Sequence, residues 1–187
     1  MKKKELILLS LSLLLGGLLY AGACKILGFP ILGNSRKLVY RYPVKTGHEG
    51  EKLPSFALLL SDSLTYINTS DSPFNKPTVF FYFSPDCPFC RREMTEIIKG
   101  MDRLKDVQFY LITPLSFRGM REFYHEFSVN RFPNIVVGLD YKFGFSHYFN
   151  TQNVPYIAVY PANRKLSAAF LGEVGIDQII DLAELLK

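Results

Sequence analysis

The chain has 187 residues, 48% of them hydrophobic, with 16 Phe, 11 Tyr and no Trp, and a formal net charge of +5. Lys2, Lys3 and Lys4 lie at the very start; the charge left on the remainder is small and forms no basic stripe, which argues against nucleic acid. With the N-terminal segment set aside, roughly 160 residues remain, one domain long enough to bury a core and free of internal repeats.

Lys2–Lys4 lead into Leu6–Ala23, 18 residues without a charge. That length is the lower limit for a membrane-spanning helix. The leading charges keep the N-terminus cytoplasmic and send the rest outward. Ala21-Gly22-Ala23 is a small-residue cleavage pattern, and Cys24 follows it directly,. Residues 1–24 are expected to be a signal peptide or membrane anchor. Two readings stay open, a retained anchor and a bacterial lipoprotein acylated on Cys24, with full release as a third. Each places the domain outside the cytoplasm, in a bacterial cell envelope where disulfides persist. Residues 25–52 hold Gly, Pro and scattered charge without a period and read as a linker.

The domain is expected over 53–187. Leu53–Leu60 and Ser63–Asn68 read as a strand pair around Ser61-Asp62-Ser63. Thr78–Phe83 is a continuous apolar run, as in a strand buried on both faces. Cys87–Leu104 reads as helix interrupted at Gly100, Val107–Thr113 as strand, and Ser116–Ser128 as helix with Phe117, Met120, Phe123, Tyr124 and Phe127 at helical spacing. A short strand at Ile135–Val137 and a short helix at Tyr141–Tyr148 follow. Tyr156–Tyr160 and Lys165–Leu171 form a terminal hairpin, and Asp177–Leu186 a closing helix. This order predicts an α/β fold, three layers around a central mixed β-sheet.

The chemistry concentrates in Phe80–Arg92, FFYFSPDCPFCRR. A strand ends in Ser84-Pro85-Asp86, and Cys87 and Cys90 open a helix in C-x-x-C spacing. Unpaired N–H groups and the dipole at a helix N-terminus favour a negative charge there, and the thiolate is the reactive form of cysteine. Zinc wants four ligands. The chain has three cysteines, and His48, His125 and His147 are single and scattered, so no metal site is expected. Asp86 places a fixed negative charge beside Cys87. Arg91 and Arg92 offer positive charge, although one or both fit a plain solvated face.

Three segments carry a resemblance. Leu53-Pro54-Ser55-Phe56 through Lys76-Pro77-Thr78-Val79 is one, Cys87-Pro88-Phe89-Cys90-Arg91 the second, and Asn153-Val154-Pro155-Tyr156, just before the hairpin, the third. Together they resemble the thioredoxin superfamily, and within it the TlpA/ResA-like thiol-disulfide oxidoreductases of the bacterial envelope. The resemblance covers about Leu53–Lys187. It implies a thioredoxin-like fold with an N-terminal β-hairpin and an extra βα insertion, and a cis Pro155 packed opposite the dithiol. It implies catalytic Cys87 and Cys90, with substrate binding by Pro88, Phe89, Val154 and Pro155. The buried Asp that thioredoxin keeps six residues before its first cysteine is Phe81 here, so Glu93, Glu96 or water would have to take its part.

The expected partners are protein thiols and disulfides, a membrane electron donor or acceptor, and the membrane through the N-terminal segment. No cofactor beyond the Cys87–Cys90 pair is expected. The resemblance favours a reductant over an oxidant. Rival readings are a copper-handling protein of the SCO type, whose C-x-x-x-C and distant His this chain lacks, a peroxidase, and a non-catalytic binding domain on the same fold.

Overall fold

In the computed structural model, which describes residues 40–184, the apolar run after Pro77 is an interior strand of a seven-stranded sheet. The strands are β1 (Ala57–Leu60), β2 (Tyr66–Asn68), β3 (Thr78–Tyr82), β4 (Gln108–Thr113), β5 (Ile135–Leu139), β6 (Tyr156–Tyr160) and β7 (Ala168–Leu171). The helices are α1 (Pro88–Lys99), α2 (Met101–Leu104), α3 (Phe117–Glu126), α4 (Gly144–Tyr148) and α5 (Ile176–Glu184). The sheet order is β2-β1-β5-β4-β3-β6-β7. β3, β4 and β5 run parallel, and the β1–β2, β1–β5, β3–β6 and β6–β7 pairs are antiparallel.

The period-2 alternation of β3 sorts its side chains into two cores. Val79 and Phe81, with Phe83 just beyond, join Met94, Ile97, Met120, Phe123 and Ile179 from α1, α3 and α5. Phe80 and Tyr82 face the other way and join Phe56, Phe145, Phe149 and Tyr160. Every residue of β3 is buried. Helices therefore cover both faces, and β5 with α4 forms the additional βα unit between α3 and β6. Each fully buried Phe or Ile contributes about 1.5–3 kcal/mol, so the strand that leads to Cys87 is anchored firmly from both sides.

β1, β2 and β7 begin at Ala57, Tyr66 and Ala168, later than the expected Leu53, Ser63 and Lys165, and two further boundaries differ for local reasons. β5 runs on to Leu139 because Gly138 lies against Leu58 of β1, where a Cβ would stand 2.7 Å from the Leu58 Cβ. α4 begins only at Gly144, because the buried Asp140 carboxylate accepts from the N–H groups of Gly144 (2.9 Å) and Phe145 (2.8 Å), and Phe143 is left-handed at φ 56°.

Residues 40–52, part of the expected linker, form no regular strand but lie along β7. Val44 donates to the Ala169 carbonyl (2.8 Å), Gly50 to that of Leu166 (2.9 Å), and Lys52 bridges Lys165. An edge strand that would otherwise present open N–H and C=O groups is covered in this way. The expected signal or anchor segment, Cys24 and the first part of the linker lie outside the described residues. Among the described residues no helix is long and apolar enough to cross a membrane.

Candidate redox site

Cys87 is the N-cap of α1, with extended backbone at φ −75° and ψ 118°, and Pro88 occupies the first turn. Proline suits that position because its missing N–H would have no intrahelical acceptor. The loop before it is pinned: Cys87 N–H donates to Ser84 O at 3.1 Å, and Arg91 Nη1 donates to Pro85 O at 3.1 Å. Cys87 is partly exposed and Cys90, on the inner face of the same turn, is fully buried; both are free thiols. Burial pushes the Cys90 thiol well above its ordinary range, the neighbouring Cys87 adds to this, and a backbone hydrogen bond at Ser84 opposes it.

The Val154–Pro155 peptide bond is cis, and the Cys87 Sγ lies 4.0 Å from the Val154 carbonyl oxygen. Pro155 is buried and Val154 is partly exposed. The structure thus brings Cys87, Cys90, Val154 and Pro155 together. Pro88 and Phe89 lie on the exposed start of α1, with Phe89 51% accessible.

Both arginines after the dithiol are engaged. Arg92 grips Glu173 through Nε–Oε1 (2.8 Å) and Nη2–Oε2 (3.2 Å), and its guanidinium sits 4.5 Å from the Phe89 ring centre. Arg91 pairs with Glu126 of α3 and lies 5.7 Å from the Phe127 ring centre. Asp86 is exposed.

Glu93 is the acid that sequence reasoning did not separate from Glu96. Glu96 is exposed and pairs with Lys99 at 2.7 Å. Glu93 is 2% accessible, three residues beyond Cys90 on the same buried face as Met94 and Ile97. Burial pushes its carboxyl up to about 8; hydrogen bonding from Val174 N–H and the charge of Arg41 act against this, while Glu173 and Glu96 act with it. Val174 N–H donates to Oε2 at 3.0 Å, and Oε1 has no hydrogen-bond partner among the described residues. The helical phase of residues 90, 93, 94 and 97 already places a glutamate on the apolar stripe. Arg41, Glu173 and Val174, which surround it, left no sequence signal. Among the described residues no group of three or more His, Cys, Asp or Glu side chains could hold a metal ion.

No protein-family model and no curated protein matches the chain. Solved structures do. The chain is similar to a secreted Mycobacterium tuberculosis disulfide oxidoreductase homologous to E. coli DsbE, with TM-score 0.57 and 18% identity over 70% of this chain and 96% of that one. This is a thioredoxin fold. The same thioredoxin fold aligns with StoA of Bacillus subtilis (TM-score 0.54, 13% identity, 70% of this chain and 97% of that one). It also aligns with a peroxiredoxin-like protein of Aquifex aeolicus (0.60, 16%, 78% and 90%). At these identities the likeness establishes the thioredoxin fold, and the chemistry has to be argued from the site.

Proposed function

We propose that the protein is a thiol-disulfide oxidoreductase that exchanges disulfides with protein partners outside the cytoplasm. The observation that carries this is the pairing of a partly exposed Cys87 at a helix N-terminus, its sulfur beside the Val154 carbonyl, with a buried Cys90 one turn inside. An exposed first sulfur can meet a partner, and a buried second one can only resolve the bond made by the first.

The Cys87 thiolate attacks one sulfur of a partner disulfide, and the other partner sulfur leaves as thiolate. The Cys90 thiol then passes its proton to an acceptor, Glu93 or water. Its thiolate attacks the Cys87 sulfur, the mixed disulfide breaks and the second partner thiolate departs. Two electrons have moved from the protein dithiol to the partner, and Cys87–Cys90 is left as a disulfide. Run backwards, the sequence oxidises a partner dithiol. Glu93 suits the proton step because a carboxyl held near 8 accepts and returns a proton close to neutral pH,.

Val154 presents backbone beside the attacked sulfur, where an extended partner segment would add its own hydrogen bonds. Phe89 offers an exposed ring next to it. No cofactor is required, because the dithiol is the redox centre. The reductant direction rests on the resemblance to the TlpA/ResA-like group and needs a membrane donor to re-reduce the pair. The apolar segment Leu6–Ala23, or lipid on Cys24, would hold the domain at the outer face of the membrane.

The test is the reduction potential of the Cys87–Cys90 pair in the full-length chain, by equilibration against glutathione or dithiothreitol with thiol trapping. A value near about −270 mV or below supports a reductant, and one near about −120 mV an oxidant. Failure to form the disulfide at any poise would sink the reading and bring forward copper binding, peroxide turnover or a binding role.

A further inference from the structure

We propose that Arg41, on the segment running along β7, is a positioning residue for the redox site: it donates to the peptide unit whose other end holds the Glu93 carboxylate. The geometry is a chain of two hydrogen bonds through one peptide group. Arg41 Nε donates to the Glu173 carbonyl oxygen at 3.1 Å. The N–H of that same peptide unit belongs to Val174 and donates to Glu93 Oε2 at 3.0 Å. A cation on the carbonyl end polarises the amide and strengthens its N–H as a donor, because linked hydrogen bonds reinforce one another in a low-dielectric interior. The charge-assisted form of that bond is the carboxylate.

Arg41 is held in place for this. Its backbone N–H donates to Gln178 Oε1 (3.0 Å) and its carbonyl accepts from Gln178 Nε2 (2.7 Å), so α5 grips the segment with a single side chain. Its guanidinium lies where a Cβ on Gly172 would stand, 2.9 Å away, and Gly172 has φ 98°. Glycine is required there for backbone conformation and for room. Glu93 is buried with Oε1 unpartnered among the described residues, so within them the Val174 N–H is its one hydrogen-bond donor.

The charged and titratable groups acting on Glu93 are Cys90 and Glu96 on α1, Glu173 on the turn after β7, and Arg41 on the segment along β7. On α5 the nearby Gln178 is neutral, and Arg92 of α1 is engaged with the Glu173 carboxylate. Arg41 acts on Glu93 against two glutamates. By favouring the carboxylate it keeps Glu93 able to take the Cys90 proton; this consequence rests on the oxidoreductase reading above, whereas the effect on Glu93 does not. The segment before β1 then acts as part of the active site.

The experiment is a 13C NMR titration of the Glu93 carboxyl in the full-length protein in detergent, for wild type, Arg41→Gln and Arg41→Lys. Glu93 is assigned with Glu93→Gln, and the pH dependence of mixed-disulfide resolution by Cys90 is followed in parallel. Arg41→Gln is expected to raise the proton affinity of Glu93 about three- to tenfold, moving its midpoint up by roughly half to one pH unit. Arg41→Lys keeps the charge and should restore most of the shift. Should Arg41→Gln fail to fold, Gln178→Ala loosens the same arginine and is expected to move the midpoint in the same direction. An unchanged midpoint in a folded Arg41→Gln or Gln178→Ala protein overturns the proposal. A midpoint that moves while no dithiol exchange occurs would refute the oxidoreductase reading alone.

Discussion

The Cys87 sulfur and the Val154 carbonyl oxygen, 67 residues apart in the chain, lie 4.0 Å from each other. Antiparallel pairing of β3 with β6, in which Tyr82 stands opposite Tyr156, brings them together. Each sits just outside the paired strands, one at the C-terminal end of β3 and the other at the N-terminal end of β6. The attacked sulfur and the backbone that would bind a partner are thus set by a sheet buried on both faces, which leaves them little freedom to separate.

The division of labour between the two cysteines predicts opposite phenotypes. Cys87→Ser should abolish exchange with a disulfide-bearing protein. Cys90→Ser should leave the first attack intact and accumulate a mixed disulfide. Non-reducing gels after incubation with an oxidised partner would check this, and a trapped adduct on Cys90 in Cys87→Ser would contradict it.

The raised Glu93 carboxyl makes stability pH-dependent. Its folded value of about 8 exceeds the ordinary value of 4.5, so the native state binds the extra proton in that window. The contribution is fully present below the unfolded value and is lost as pH rises through the folded one, at about 1.4 kcal/mol per pH unit of difference. Glu93→Gln should flatten the profile and be more stable than wild type above pH 8. Urea unfolding of both proteins at pH 5 and pH 9 reads it directly; parallel curves would show that Glu93 ionises freely.

Tyr160 is fully buried and its hydroxyl has no hydrogen-bond partner among the described residues. A buried unsatisfied hydroxyl costs about 1–3 kcal/mol. Tyr160→Phe keeps the ring that packs on Phe80 at 5.3 Å and should stabilise the protein or leave it unchanged. A clear fall in thermal midpoint would mean the hydroxyl does have a partner.

Gly138 of β5 faces Leu58 of β1, and Gly138→Ala would press a Cβ to 2.7 Å from the Leu58 Cβ. Overpacking of this kind costs about 1–3 kcal/mol. The loss should appear in the thermal midpoint, and trimming Leu58 to Ala should not recover it, because alanine keeps the Cβ that is struck and opens a cavity besides,. Equal midpoints for Gly138→Ala and wild type would show that β1 shifts freely.

The order of strands and helices, the dithiol at the opening of α1 and the Val154-Pro155 segment before the hairpin were all legible in the chain. The first two rest on local physics, hydrophobic period, turn chemistry and a helix start, and the third on the resemblance to the thioredoxin superfamily. Phe80 and Phe81 read as strand wherever the sheet places them, and Cys87-Pro88 reads as a helix start in any context. Glu93 was half legible. Its phase beside Cys90 and Met94 marks it for burial, but only packing separates it from Glu96, one turn along and ion-paired at the surface. The start of α4 was not legible because its limit is the carboxylate of Asp140, one residue before the expected helix, which accepts from Gly144 and Phe145. Arg41 was not legible at all. Its segment has no period, and its place is decided by Gln178, 137 residues away, and by the room Gly172 leaves. Local sequence determined which residues form elements and where reactive sulfur would stand, since propensity and spacing act between neighbours. The tertiary structure decided which acid is buried, which cation reaches it and which backbone meets the sulfur, because desolvation and hydrogen bonding across the sheet depend on residues that sequence distance does not relate.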